Sequence, residues 1–259
     1  MLTRTAPHAL LMDEIYRRQR HLYDFTRKFY LFGRDGLIRA LDLAPGERVV
    51  EIGCGTARNL IALARRYPGA RLYGLDASEE MLKTAAASVS RAGLEERVHL
   101  VRGLAEELSP GAFGESAPFD RAIFPYSLSM IPQWEQALMM AAHSVRPSTG
   151  EIAIVDFADF AGLPAPFAGL MRRWLSLFHV SPRIEFLNAA ESSAVTKSAN
   201  LCILPGRYAF VWRGTAEELG TCRVDVAEGS QDWLNPELRR PFSTLPMDIQ
   251  PPLPSKYPL

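Results

Sequence analysis

Hydrophobic positions along the chain follow two different periods, and the change from one to the other divides it. Over residues 7–32, Leu11, Ile15, Leu22, Phe25, Phe29 and Phe32 recur at helical steps, broken only by Arg18. That spacing predicts a long helix with one apolar stripe. One residue further round, Tyr16, Arg20, Tyr23, Arg27 and Tyr30 repeat the same steps. A second, short helix is expected over residues 35–43, followed by a turn at Pro45-Gly46. Compact apolar runs then alternate with helical patterns. Strands are expected at Arg48–Ile52, Arg71–Asp76, Val98–Arg102, residues 119–124 and Glu151–Phe157, with helices beginning near Thr56, Ser78 and Trp134. Helical crossovers between strands require a mainly parallel sheet. Residues 201–204 and 208–212 flank Pro205-Gly206 and read as a closing hairpin, which makes seven strands of an α/β fold.

Between the fifth strand and the hairpin lies an insertion over about residues 160–188. It contains PFAGLMRRWLSLFHV, in which Phe167, Leu170, Met171, Trp174, Leu175 and Phe178 form a broad apolar face beside Arg172 and Arg173. Such a helix packs into a core, lies in a membrane interface or lines a lipid cleft, and the pattern alone leaves these open. After Thr221 no period is visible, and prolines collect from Pro236 onward. The expected division is therefore an N-terminal helical extension (1–44), a core (45–215) and a Pro-rich tail (216–259).

Composition narrows the function classes. A 47% hydrophobic content is ample for a packed core. The formal net charge is zero and the pI about 7.0, so no general attraction to nucleic acid or anionic lipid is expected. Cys54, Cys202 and Cys222 are an odd number without a C-x-x-C pair, which argues for reduced thiols and against a zinc or other metal site. The chain has no run of about 20 apolar residues, and its start lacks the order of a signal peptide. A cytoplasmic protein, at most peripheral to a membrane, is the expectation.

The candidate chemistry centres on RVVEIGCGTAR, residues 48–58. A strand, a glycine turn and a helix start in that order let backbone approach a small polar ligand. A dinucleotide fingerprint needs a third glycine where Arg58 stands, which disfavours a nicotinamide oxidoreductase. With Glu51 closing the first strand and Asp76 closing the second, about 20 residues beyond the glycines as a β-α-β unit imposes, E-x-G-x-G-T resembles the class I S-adenosylmethionine-dependent methyltransferases. The resemblance implies a Rossmann-like sheet under an N-terminal helical lid, with S-adenosylmethionine as cofactor. It implies that Glu51, Gly53, Gly55 and Thr56 cradle the methionine end, and that Asp76 holds the ribose hydroxyls. Adenine would lie against Ala77 and Met81 and the backbone of Leu104 and Ala105, with Glu106 nearby. Two positions depart from the family pattern. Ala57 replaces a glycine, tolerable only at negative φ, and Leu104 stands where an adenine-binding Asp is common. Cys54, within the loop, is expected to be structural.

Three further stretches, YDFTRKFYLFGRD (23–35), SLSMIPQW (127–134) and FHVSPR (178–183), resemble bacterial betaine-lipid N-methyltransferases, which methylate diacylglycerylhomoserine three times. This implies an amino-lipid substrate met at the membrane surface, a protein peripheral to the inner membrane, and a role for a lipid-synthase partner. Tyr126 and Ser127 follow the fourth strand, where this fold takes its acceptors. Tyr126 is the candidate hydrogen-bond acceptor and cation-facing ring, with Asp156 and His179 as further proton acceptors. Ser127, Tyr23, Arg27, Lys28, Tyr30, Arg34 and Arg183 are candidates for binding the head group, the cations gripping its carboxylate. Two alternatives stand beside this reading: a methyltransferase of a soluble small molecule such as a quinone precursor or free amine, and a binding protein that keeps the fold without catalysis.

Overall fold

A computed structural model describes residues 32–193 and 201–222. The predicted helix over residues 7–32, with Tyr16, Arg20, Tyr23, Arg27, Lys28 and Tyr30, lies outside the described residues save for Phe32, as does the proline-rich stretch after Cys222. The described chain runs α1 (Arg34–Ala40), β1 (Arg48–Ile52), α2 (Arg58–Arg66), β2 (Arg71–Asp76), α3 (Glu79–Arg91), β3 (Val98–Arg102), β4 (Arg121–Pro125), α4 (Trp134–Ser144), β5 (Glu151–Phe157), α5 (Ala165–Ser176) and α6 (Ile184–Ser192). After the gap come β6 (Leu201–Ile203), β7 (Ala209–Thr215) and α7 (Ala216–Thr221).

The seven strands form one sheet in the order β3-β2-β1-β4-β5-β7-β6. Strands β1 to β5 are parallel to their neighbours, while β7 runs antiparallel to both β5 and β6. The order in which strands are added reverses between β1 and β4, so the carboxyl ends of those two strands open a crevice. Strand residues alternate between the two faces. Val49 joins a core cluster with Leu60, Leu63 and Ala85 from α2 and α3, whereas Val50 and Ile52 join the opposite cluster with Trp134, Leu138 and Ala141 from α4.

Four boundaries differ from the sequence reading. The fourth strand begins at Arg121, with Phe119 making only an isolated bridge to Val145. The last strand extends to Thr215. Beyond it, α7 folds back with Leu219 buried in the second cluster, so the core runs past residue 215. Thr215 accepts from the Glu218 amide while the Glu218 carboxylate accepts from the Thr215 amide, a reciprocal cap that starts this helix. The insertion holds two helices rather than one. Phe186, Leu187 and Ala190 of α6 are buried, a pattern too short to show a period in the sequence.

Candidate functional site

The glycine turn is tied back to β2. The amides of Gly53 and Cys54 both donate to the Leu75 carbonyl, at 2.8 and 3.0 Å. The Gly55 amide donates to Asp76 Oδ2 at 2.7 Å, and the Ser78 amide to Asp76 Oδ1 at 2.9 Å. These loop amides therefore hold the turn in shape instead of pointing at a ligand, which corrects the simple cradle drawn from the sequence. Asp76 is the hinge pin of that arrangement and also lines the crevice. Gly53 has φ +72°, and a Cβ there would stand 2.6 Å from Ser127 Cβ, so its bareness lets the β1 and β4 loops touch.

Ala57 overturns a stated expectation. It sits at φ +61° as the N-cap of α2, fully buried, where negative φ was required for a tolerable alanine. The left-handed region costs an L-residue about 1–2 kcal/mol, and the buried methyl recovers about 0.8 kcal/mol by packing. The methyl thus offsets only part of the backbone cost, and the position stays strained.

The crevice is lined by Gly53, Gly55, Asp76, Ala77, Ala105 and Glu106 on the side of β1, β2 and β3, and by Tyr126, Ser127, Met130 and Ile131 across from them. Glu51 and Thr56 face an adjoining recess that shares Gly53 and includes Arg34 and Asn59. Asn59 escaped the sequence reading. Its Nδ2 donates to Glu51 Oε1 at 2.7 Å, fixing the buried carboxylate from the first turn of α2. Its position eight residues beyond the strand acid was the available signal. Met81 and Leu104 line neither recess. Met81 is buried at the start of α3, its amide donating to Ser78 Oγ, and the Leu104 carbonyl accepts from Glu107 in a short helical turn.

The catalytic candidates separate. Tyr126 is at the crevice with φ +60°, its hydroxyl donating to the Phe32 carbonyl and its ring packed 4.7 Å from Phe157. Burial, then the nearby Asp156 carboxylate, pushes the phenol above its ordinary value, so it stays protonated. Asp156 is fully buried and lines no recess. Its Oδ2 accepts from the Ser129 amide at 2.8 Å and its Oδ1 from the Phe157 amide at 2.7 Å. Burial raises its pKa to about 6 against those hydrogen bonds. Its place is beneath the turn carrying Ser129, so the role of direct proton acceptor is corrected to one of support. His179 is exposed at φ +55° after α5 and likewise lines neither recess.

Arg183 is not the head-group clamp expected of it. Its Nε donates to the Leu128 carbonyl at 3.1 Å and its Nη2 to the Ile131 carbonyl at 2.6 Å, bracketing the crevice wall. Arg34 is buried in the first turn of α1 and lines the recess beside Glu51, as a head-group residue would. Cys54 is buried, and burial, reinforced by Asp76 and Glu51, pushes its thiol well up, so no thiolate nucleophile forms there. Ser127 differs from all of these. It is 5% exposed, lines the crevice, and its hydroxyl has no hydrogen-bond partner among the described residues.

Residues 49–148 match the family model described as "Methyltransferase domain". The fold is that of the class I S-adenosylmethionine-dependent methyltransferases. The methyltransferase domain is 34% identical over 115 residues to a demethylmenaquinone methyltransferase of Bacillus cytotoxicus, covering 44% of this chain and 46% of that one. A ubiquinone/menaquinone biosynthesis C-methyltransferase, UbiE, of Syntrophotalea carbinolica is 28% identical over 179 residues, 67% of this chain and 69% of its own. The chain spans about half the length of the demethylmenaquinone methyltransferases it matches. Among solved structures, the mitomycin 7-O-methyltransferase MmcR superposes with a TM-score of 0.60 at 18% identity, over 80% of this chain and 60% of that one, which speaks to fold alone.

S-adenosylmethionine is the methyl donor this fold family uses, and the residues present fit it. A carboxylate stands at the end of β2, where a ribose diol is held, small residues Ala77 and Ala105 flank it, and an unpaired buried hydroxyl faces the same space.

Proposed function

We propose that the chain is an S-adenosylmethionine-dependent methyltransferase whose acceptor binds at the carboxyl end of β4. The Ser127 hydroxyl carries this reading. A buried hydroxyl left without a partner costs about 1–3 kcal/mol, and this one lies in the wall facing the cofactor side, where an incoming polar group would satisfy it. When bound, the cofactor supplies an electrophilic methyl on a sulfonium. The protein's task is then placement and exclusion of water. Asp76 holds the donor, Ser127 orients the acceptor, and Met130 and Ile131 close the apolar side. The Tyr126 phenol is held protonated and does not serve as a base. An amine acceptor would instead lose its proton through desolvation.

For the acceptor itself, we take a polar head carried on a long hydrophobic tail. The sequence resemblance supports the amine of diacylglycerylhomoserine, with trimethylation as the outcome. The names of the relatives support a second head, the ring of a quinone precursor. The two are distinguished by incubating the protein with labelled donor and each acceptor, then following methyl incorporation by mass spectrometry. Stepwise addition of three methyl groups to the amino-lipid supports the first, a single addition to ring carbon supports the second, and transfer only to tail-less analogues overturns the lipid-borne acceptor. Asp76→Ala tests the donor site. Affinity for S-adenosylhomocysteine should fall more than tenfold by calorimetry, and wild-type affinity would exclude the assignment.

A further inference from the structure

The α5 helix is amphipathic in an unusual sense, because it has apolar residues on both its buried and its exposed sides. Ala168 and Leu175 are buried, and Met171, Trp174 and Phe178 pack partly against the core cluster. Phe167, Leu170 and Leu177, which share a face of the same helix and its end at 100° per residue, are 65%, 65% and 64% exposed. Large side chains this exposed and this close together mark an interaction surface rather than scattered surface residues.

Charge identifies what covers it. The helix itself carries Arg172 and Arg173 and no Asp or Glu, with Asp159 before it and Glu185 beyond it, although the whole chain is neutral. Arg172 and Arg173 are exposed on the helix, and His179 is exposed just beyond it. A protein partner with an apolar patch would not demand this one-sided charge, whereas the surface of an anionic bilayer does. The helix is too short to span that bilayer, and none among the described residues is long and apolar enough to do so. It therefore suits a position in the plane of the interface.

Geometry connects this face to the crevice. The connector leaving α5 is fastened to the acceptor wall: the Ser181 amide donates to the Ser129 carbonyl at 2.9 Å, and Arg183 holds the carbonyls of Leu128 and Ile131. We infer that α5 docks the protein on an anionic lipid bilayer through Phe167, Leu170 and Leu177, with Arg173 about 60° round the helix from Leu170, and so brings the Leu128–Met130 wall to the source of its acceptor. The docking itself stands on the helix alone, while its link to acceptor capture rests on the methyltransferase reading.

Sedimentation of the full chain with phosphatidylcholine vesicles, with and without phosphatidylglycerol, tests it. Binding is expected to the anionic vesicles, to weaken with added salt, and to fall at least tenfold in Leu170→Glu, since each buried apolar side chain contributes about a factor of ten. Arg173→Glu should weaken it further. Retained S-adenosylhomocysteine affinity in Leu170→Glu certifies the fold, because that side chain is exposed. Three results overturn the inference: no binding to anionic vesicles, binding that Leu170→Glu leaves unchanged, or a concentration-dependent dimer that Leu170→Glu dissociates, which would mean a second copy covers the face. Vesicle binding without cofactor affinity would instead sink the methyltransferase reading and leave the docking intact.

Discussion

Gly53→Ala is the sharpest perturbation of the crevice, because one methyl group meets two separate obstacles. With φ at +72°, the backbone there penalises any Cβ by about 1–2 kcal/mol. The added Cβ would lie 2.6 Å from Ser127 Cβ, and overpacking of this kind costs about 1–3 kcal/mol. Ser127 has little freedom to retreat, since the preceding Tyr126 is fixed by its amide on the Val155 carbonyl at 2.7 Å. Stiffening the unfolded chain returns about 0.4–1 kcal/mol, leaving a net loss of about 1–5 kcal/mol. For a chain of this size that corresponds to a fall in Tm of about 2–18 °C, centred near 9 °C. Gly46→Ala supplies the internal control. Its φ of +86° imposes the same backbone penalty, but nothing lies within 4 Å of the new Cβ, so its loss should stay near 1 kcal/mol. Thermal unfolding without ligand measures both, and calorimetry with S-adenosylhomocysteine reads the crevice directly. Gly53→Ala should weaken affinity more than tenfold while Gly46→Ala leaves it unchanged. Equal Tm shifts in the two variants, with affinity preserved in both, would refute the contact between the β1 and β4 loops as a determinant of the site.

Two further outcomes follow from the wall of the crevice. Asp156 has its pKa raised from 3.8 to about 6 by burial, so the folded chain holds that proton more tightly than the unfolded one; its contribution to instability is absent below about pH 4 and complete above about pH 6, amounting to about 3 kcal/mol lost as pH rises through that window. Urea unfolding at several pH values should show that slope reduced in Asp156→Asn, and an unchanged slope would discount the buried carboxylate. Arg183→Ala removes two charge-assisted hydrogen bonds of about 1.5–3 kcal/mol each before relaxation, and amide exchange at Met130 and Ile131 should quicken selectively; exchange at the wild-type rate would show that the bracket is not what holds the turn.

The sheet was largely legible in the sequence because strand period and turn chemistry coincide there. β1, β2, β3 and β5 appear with the boundaries that their apolar runs predict, each bounded by a glycine, an acid or a charged residue. Asp76 and the glycine pair were legible for the same reason, being fixed by local backbone geometry. What stayed hidden depends on contacts between distant segments. Nothing in the neighbourhood of Arg183 says that its guanidinium reaches the carbonyls of Leu128 and Ile131, and nothing near Asp156 says that the Ser129 amide covers it. Both looked catalytic because a charged residue in an apolar run is rare, and rarity serves support as well as chemistry. Ala57 was misjudged differently: sterics alone suggested a negative φ, whereas the residue stands at φ +61° with its methyl in the core.

The acceptor wall is thus held from behind by three residues, on β5 and on the connector after α5, that do not line the crevice themselves. β5 contributes the Asp156 carboxylate to the Ser129 amide, the connector after α5 contributes the Ser181 amide to the Ser129 carbonyl, and Arg183 grips the carbonyls on either side. One short turn therefore has its amide and carbonyl groups fixed by partners outside the crevice, which keeps it rigid without placing a charge in the space where a methyl acceptor must lie. The same arrangement makes the insertion more than an appendage. Because α5 and the wall share a connector, a force applied at Phe167 and Leu170 by an interface has a direct covalent and hydrogen-bonded route to Ser127, through the Met130 amide on the Ser127 carbonyl at 3.0 Å. A core methyltransferase sheet needs no insertion to bind its donor; the docking inferred for α5 would give this one a reason to be where it is.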